Sequence, residues 1–318
     1  MRTRHIQSSS DLAPRDARHS SVLEAGHTTV LLHEAIEQLS IKPTDTVVDG
    51  TLGGAGHARA IAEVLSSSGT LIGFDLDHAA IVRAGNALVS VEPSTALIEG
   101  NFRNMDTELT ARGIDRIDKV LLDLGWSGFQ LQAGRGFSFL KDEPLTMTYS
   151  EGSSGLTAAE IVNEWKEESI ADVIFGWGEE RYSRRIAKAI VERRAHMPFV
   201  VSVDLAETIK SAVPAAYRHG RLHPATRTFQ ALRIATNDEL GAITEGIQSA
   251  WKLLNEGGRI AIITFHSIED RLVKERFLEL ERTGEARRVT RSPIRPSAAE
   301  LTRNPRARSA KLRVIEKI

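Results

Sequence analysis

Residues 47–57, VVDGTLGGAGH, constrain the fold of this chain more than any other stretch. Apolar residues run into an acid, Asp49, and then into a loop with four glycines in the seven positions 50–56. A helical pattern, HARAIAEVL at 57–65, follows at once. Strand, backbone-exposing turn and helix N-terminus in that order are how an α/β sheet holds a nucleotide-like ligand. A Cβ in such a loop would obstruct both the tight turn and the close approach of backbone to ligand. The spacing is GxxGGxG, not the GxGxxG of dinucleotide folds, and that departure weakens a pyrophosphate reading.

Short apolar β runs at 46–49, 70–75, 96–98 and 119–123 alternate with helical patterns near 31–40, 57–65 and 78–89. This alternation predicts a parallel sheet covered on both faces. The pattern then stops for more than a hundred residues and resumes with a clear buried strand at 257–265. Helical patterns fill the gap at 157–165, 168–176, 179–195, 203–212 and 226–254. An insertion of about 130–225 within one α/β domain fits this layout better than two consecutive domains. The last apolar runs, 286–290 and 311–316, pair as a final antiparallel unit across a Pro/Arg-rich loop.

Composition narrows the function classes. No apolar run among the 318 residues approaches the ~18 needed to span a bilayer, so no membrane association is expected. The absence of cysteine excludes disulfides, thiolate zinc sites and a cysteine nucleophile, and suits a reducing compartment. A net charge of −1 conceals an uneven distribution. Residues 181–233 hold eleven Lys/Arg against three Asp/Glu, and residues 284–318 hold ten against three, so the remainder is strongly acidic. Two basic blocks on an acidic body suggest a polyanionic partner, although solvated helix faces account for charge clustering equally well. Residues 1–26, Ser/Arg-rich and without apolar periodicity, read as a flexible tail. Asp11, Asp16 and Glu24 argue against an organellar targeting peptide there, and a cytoplasmic location is expected.

Three acids bear on the ligand. Asp75 ends the second strand nineteen residues past Gly56, close to the spacing of the acid that holds a ribose hydroxyl. Asp49 precedes the glycines, where it orients the loop or meets a cationic ligand. Asp123, in Asp123-Leu124-Gly125, ends the fourth strand at the same carboxyl-edge crevice. Three acids around one adenosine-containing ligand suit a sulfonium with an amino-acid tail better than a pyrophosphate. A methyltransferase is therefore the preferred class. An NAD-dependent oxidoreductase stays the alternative, lacking a second nucleotide-binding half and a hydride-handling acid/base.

The segments HTTVLL (27–32), VDGTLGGAGH (48–57), FDLD (74–77), LLDLG (121–125), GRGFSF (134–139), HPATRTFQALRI (223–234), FHSIEDRLVK (265–274) and NPRARSAKLR (304–313) run in order over nearly the whole chain after residue 26. In them the chain resembles the bacterial small-subunit ribosomal RNA methyltransferase H family, also called MraW. The resemblance implies a class I S-adenosylmethionine-dependent methyltransferase, Rossmann-like, with a mostly parallel seven-stranded sheet and an inserted helical domain. Residues 27–130 and 226–318 then form the methyltransferase domain, and 131–225 the substrate-recognition insertion. The implied activity is methylation of the exocyclic N4 of a cytidine in the decoding region of 16S ribosomal RNA. Its partner is that RNA or the assembled small subunit, acted on by a monomer or homodimer without a metal. A non-catalytic RNA-binding assembly factor is the alternative from another class.

By the same resemblance Ala55, Gly56 and His57 meet the methionine end of the cofactor and Asp75 its ribose. Phe102 lies against the adenine, and Asp123 and Gln130 complete the pocket. Asp123 is also the candidate for orienting the amine. Each has a plainer alternative: His57 as a neutral imidazole at a helix start, Phe102 as core, Asp123 as a cofactor ligand only. Phe137 and Phe139 of GRGFSF are expected to stack on a flipped base. His223, Arg227, Gln230 and Arg233, the segment 266–271, and Arg303, Arg306 and Arg308 are expected to meet RNA. Pairing of Glu269 and Asp270 with Arg227 and Arg233 is the rival reading for the first two of these segments. The chain departs from the family at Trp126-Ser127-Gly128-Phe129, where Val-Ser-Ser-Pro is usual. It departs again at 145–150, where LTMTYS replaces an Asp- and Arg-bearing segment.

Overall fold

A computed structural model of the chain describes residues 28–125, 131, 133–150, 152 and 155–318. The expected tail 1–26, Gln130 and the segment 126–129 lie outside the described residues. The first half alternates α1 (Leu32–Leu39), β1 (Thr46–Asp49), α2 (Gly56–Val64), β2 (Thr70–Asp75), α3 (His78–Ala87), β3 (Ser94–Glu99), α4 (Met105–Thr110) and β4 (Ile117–Asp123). Helices then follow one another: α5 (Ala158–Glu164), α6 (Glu167–Gly178), α7 (Ser183–Arg194), α8 (Ser202–Ala212), α9 (Ala215–Arg218), α10 (Thr226–Asn237) and α11 (Glu239–Leu253). The chain returns to the sheet with β5 (Leu254–Thr264), α12 (Ser267–Arg282), β6 (Ala286–Arg288), α13 (Ala298–Arg303) and β7 (Lys311–Lys317).

The seven strands lie in the order β3-β2-β1-β4-β5-β7-β6. β1 to β5 pair in parallel, and β7 runs against both β5 and β6. This is the class I methyltransferase sheet, including the antiparallel closing unit expected at the C-terminus. Period-two alternation divides the strand side chains between two layers. Val47, Leu71, Leu121, Ala261 and Ile263 face α1 and α2. Val48, Ile72, Val120, Leu122, Ile260 and Ile262 face α4, α11 and α12. Burial on both faces is why these strands read as continuous apolar runs.

The intervening helices enclose a core of their own, built on Ile161, Ile174, Ile186, Ile190, Phe199 and Leu205. α10 adds Phe229, Ala231, Leu232 and Ala235, so this core draws on residues either side of position 225. The pattern over 226–254 is not one helix. Asp238 takes the left-handed conformation (φ 46°, ψ 47°), ends α10 and starts α11, and the chain is already extended at Leu254. Hydrophobic periodicity runs across such a break without registering it. Among the described residues no helix is long and apolar enough to cross a membrane.

The antiparallel end of the sheet is locked by a buried ionic triad. Asp270 of α12 accepts from Lys311 Nζ and from Arg313 Nε of β7, each at 2.7 Å. The two basic partners come from the C-terminal block, not from Arg227 or Arg233, and they hold the Asp270 carboxyl below its usual pKa. Deleting one member of a buried pair strands the other charge. Asp270→Ala is therefore expected to lower unfolding stability by about 3 kcal/mol in urea titrations, because Arg313 loses its counter-ion.

Candidate active site

The glycine loop between β1 and α2 is tied to three strand ends. The Asp49 Oδ1 accepts the Thr51 amide at 3.1 Å, the Thr51 hydroxyl accepts the Asp123 amide at 2.7 Å, and Asp75 Oδ2 accepts the Gly53 amide at 2.8 Å. Gly53 needs its positive φ of 49° for that turn. A Cβ on Gly56 would lie 1.9 Å from the Thr29 hydroxyl oxygen, so glycine is required where α2 begins. Ala55 holds a left-handed backbone (φ 61°) as the residue before α2, a conformation costing a non-glycine residue about 1 kcal/mol. Its side chain is buried behind the loop.

These elements open on a cavity of about 740 Å³, within the size range of small-molecule sites. Gly56, His57, Asp75, Phe102 and Asp123 line it, as do Phe137 and Phe139. Phe102 packs so closely on α11 that a Cβ on Gly246 would lie 2.4 Å from its ring. Met147 and Tyr149 of the loop before α5, Phe229, Gln230 and Arg233 of α10, and Phe265 and His266 after β5 form further parts of the wall.

The electrostatics are dominated by buried acids. Burial pushes the Asp123 carboxyl well above its usual pKa, and the nearby Asp49 and Glu269 charges push it further. Burial likewise raises Asp49 to about 7, with Asp75 adding to the effect, and raises Asp75 itself. Asp123 Oδ2 lies 3.6 Å from His57 Nδ1, while its Oδ1 and the Asp49 Oδ2 are buried without a hydrogen-bond partner. Such orphaned oxygens are costly unless a cation or donor meets them. S-adenosylmethionine fits this donor set, since its sulfonium and ammonium are cationic and its adenine suits the Phe102 side.

Residues expected to meet RNA separate into two groups. Arg303 and Arg306 line the cavity mouth and are exposed, as is Arg308. Arg233, by contrast, is buried and grips Glu239 with Nε and Nη2 at 2.7 and 2.9 Å. Arg227 is turned to the Glu179 carbonyl (2.7 Å), Gln230 to the Trp177 carbonyl (3.2 Å), and His223 stacks on Phe139 with ring centroids 4.6 Å apart. Glu269 pairs with His266 at 3.0 Å, so neither it nor Asp270 takes an arginine of the first basic block as its ion-pair partner. Glu239, His266 and Glu269 bring ligand atoms within 4.8 Å of one another, but Glu239 is already committed to Arg233.

Tyr149, Asn237 and Glu239 are site residues that the sequence reading missed. Tyr149 falls in a segment that departs from the family, and Glu239 stands inside an apparently continuous helix. Neither carries a spacing signal.

Sheet order, loop and acid cluster together define a class I methyltransferase. The chain belongs to the MraW methylase family, whose model matches residues 24–318. It is 45% identical over 312 residues to "Ribosomal RNA small subunit methyltransferase H" of Clostridioides difficile (strain 630), covering 93% of this chain and 100% of that protein. The protein of the same name from Paenibacillus sp. (strain JDR-2) is 45% identical over 314 residues, covering 92% and 99%. That from Brevibacillus brevis (strain 47 / JCM 6285 / NBRC 100599) is 43% identical over 314 residues, covering 94% and 100%. Membership of a methylase family overturns the oxidoreductase alternative.

Asp49 carries a pH-dependent cost. Its folded pKa of about 7 lies above the ordinary carboxyl value, so the native state is penalised increasingly as pH rises from 4 towards 7. Asp49→Asn is expected to raise Tm by a few degrees at pH 8 and to have no effect near pH 4, measured by calorimetry. A cationic ligand favours the ionised form, so S-adenosylmethionine affinity should tighten between pH 6 and 8. Binding should release protons, read from titrations in buffers of different ionisation enthalpy.

Proposed function

We propose that the chain methylates the exocyclic N4 of a cytidine in the decoding region of small-subunit ribosomal RNA, using S-adenosylmethionine. Gly56, His57, Asp75, Phe102 and Asp123 would hold the cofactor, beside Gly50, Gly53 and Gly54 of the same loop, and Ala55 and Gln130 are proposed with them from the family pattern. When bound, S-adenosylmethionine supplies an electrophilic methyl group. The observation that carries the reading is the Asp123 carboxylate, with a buried, unsatisfied oxygen on a cavity wall shared with Phe137, Phe139, Tyr149 and Phe229.

A cytosine amine is a weak nucleophile because its lone pair is delocalised into the ring. Asp123 accepts a hydrogen bond from that amine and so favours the rehybridised nitrogen from which attack occurs. A strong base is unnecessary, because the amine becomes acidic as its new bond forms and gives its proton to the Asp123 carboxylate, which a cationic cofactor beside it would keep ionised until then. The aromatic side chains offer a stacking surface to a base drawn out of its strand, and their apolar bulk excludes water. Arg303 and Arg306 at the mouth, with the exposed Arg308 and the exposed Arg181, Arg184, Arg185 and Lys188 around α7, supply phosphate contacts. The names of the curated relatives support small-subunit ribosomal RNA as the substrate.

Radiolabel transfer from S-adenosylmethionine to small subunits lacking the modification tests the reading. Label is expected in N4-methylcytidine after nuclease digestion. Label in another nucleoside would refute the proposed target, and tight RNA binding without transfer would favour a non-catalytic assembly factor. Asp123→Ala is expected to lower transfer by at least about a hundredfold without unfolding the protein. Near-normal transfer would reject the role given to Asp123.

A further inference from the structure

The loop from Arg135 to Ser150 walls the cavity, and its far end is fixed by contacts that the methyl-transfer chemistry leaves unused. The Tyr149 hydroxyl donates to Glu239 Oε1 at 2.7 Å, on the carboxylate that Arg233 grips as a fork. The Tyr149 backbone is held on both sides: its amide donates to Asn237 Oδ1 (2.9 Å), and its carbonyl accepts from Arg135 Nη1 (2.6 Å). Its ring stacks on Phe137 with centroids 5.8 Å apart and an interplanar angle of 17°. All of these except Arg135 line the cavity. A buried ion pair adds little net stability over apolar packing, and its best-attested use is to select one arrangement of the groups around it.

This latch reaches both sides of the site. Glu269 lies within electrostatic range of Asp123 on one side and of Arg233 and Tyr149 on the other. Ser150 donates from its hydroxyl to the Leu76 carbonyl at 3.4 Å, and Arg135 stands 4.0 Å from Asp77, both in the turn after Asp75. Arg103, next to Phe102, donates to Asp238 Oδ2 at 2.6 Å, between Asn237 and Glu239. The wall that carries Tyr149 is thus set relative to the residues around the cofactor half.

We propose that Tyr149, held by the Glu239–Arg233 pair, is a positioning residue that sets the Tyr149–Phe137 wall where an entering cytosine brings its amine to Asp123. This rests on the methyl-transfer reading above. Tyr149→Phe keeps the ring and removes only the hydroxyl that closes the latch. On undermodified small subunits its single-turnover rate should fall by between about ten- and a hundredfold, the scale on which misplacement of a reacting group acts. Dissociation constants for S-adenosylmethionine, and KM for the subunit, should stay within about threefold of wild type. Phe137→Leu, which removes the stacking partner, should lower the single-turnover rate likewise while the dissociation constant for S-adenosylmethionine stays within about threefold of wild type. The positioning role is overturned if Tyr149→Phe turns over at the wild-type rate, or if cofactor affinity falls in step with the rate. A wild-type protein that transfers no methyl group sinks the methyl-transfer reading and this role together. An active wild type with an indifferent Tyr149→Phe sinks this role alone.

Discussion

Buried carboxylates crowded at one edge of the sheet are the constraint on which the site depends. Asp49, Asp75 and Asp123 end β1, β2 and β4, and Glu269 enters from α12. Like charges brought together out of water raise one another's pKa, and the fold accepts that cost. Part of it is offset locally: Asp75 takes two backbone amides, Asp49 takes one, and Glu269 has His266. One oxygen each on Asp49 and Asp123 is left without a hydrogen-bond partner, a cost that a cationic ligand would offset. Stability given up at a binding site in this way is a common trade between folding and activity.

The inserted helices make the other half of the cavity, and their attachment determines its shape. They are joined to the sheet domain through the left-handed turn at Asp238 and through α10, which packs into their core. A one-residue turn between two helices leaves little freedom, and side-chain contacts restrict it further. Arg103 takes Asp238 from the Phe102 side, and Tyr149 takes Asn237 and Glu239 from the loop that walls the cavity. Both halves of the cavity therefore bear on the same three residues.

Much of the sheet was legible in the chain because each strand is a short apolar run bounded by turn residues. The glycine loop and the place of Asp75 beside it were legible because a tight turn and an acid at a strand end impose fixed local spacings. Arg233 shows the opposite case. Its place in a basic block suggested an RNA contact, but burial beside Glu239 turned it inward, and charge counted along a sequence says nothing of which face a guanidinium ends on. Asp270 belongs with it: arginines of the first basic block were the rival partners, and the actual ones lie 41 and 43 residues further on. Tyr149 and Glu239 are 90 residues apart and meet only because the insertion folds back on the sheet.

Local chemistry alone therefore determined the α/β class, the loop that opens the cavity, and the acids that make it attractive to a cation. These depend on a few residues in a row and on the alternation of a strand. The tertiary structure decided which acids stay unpaired, which arginines face solvent, and how the aromatic wall is latched. Those outcomes are set by burial and by partners distant in sequence, and a side chain's charge, pKa and role follow from what surrounds it in space.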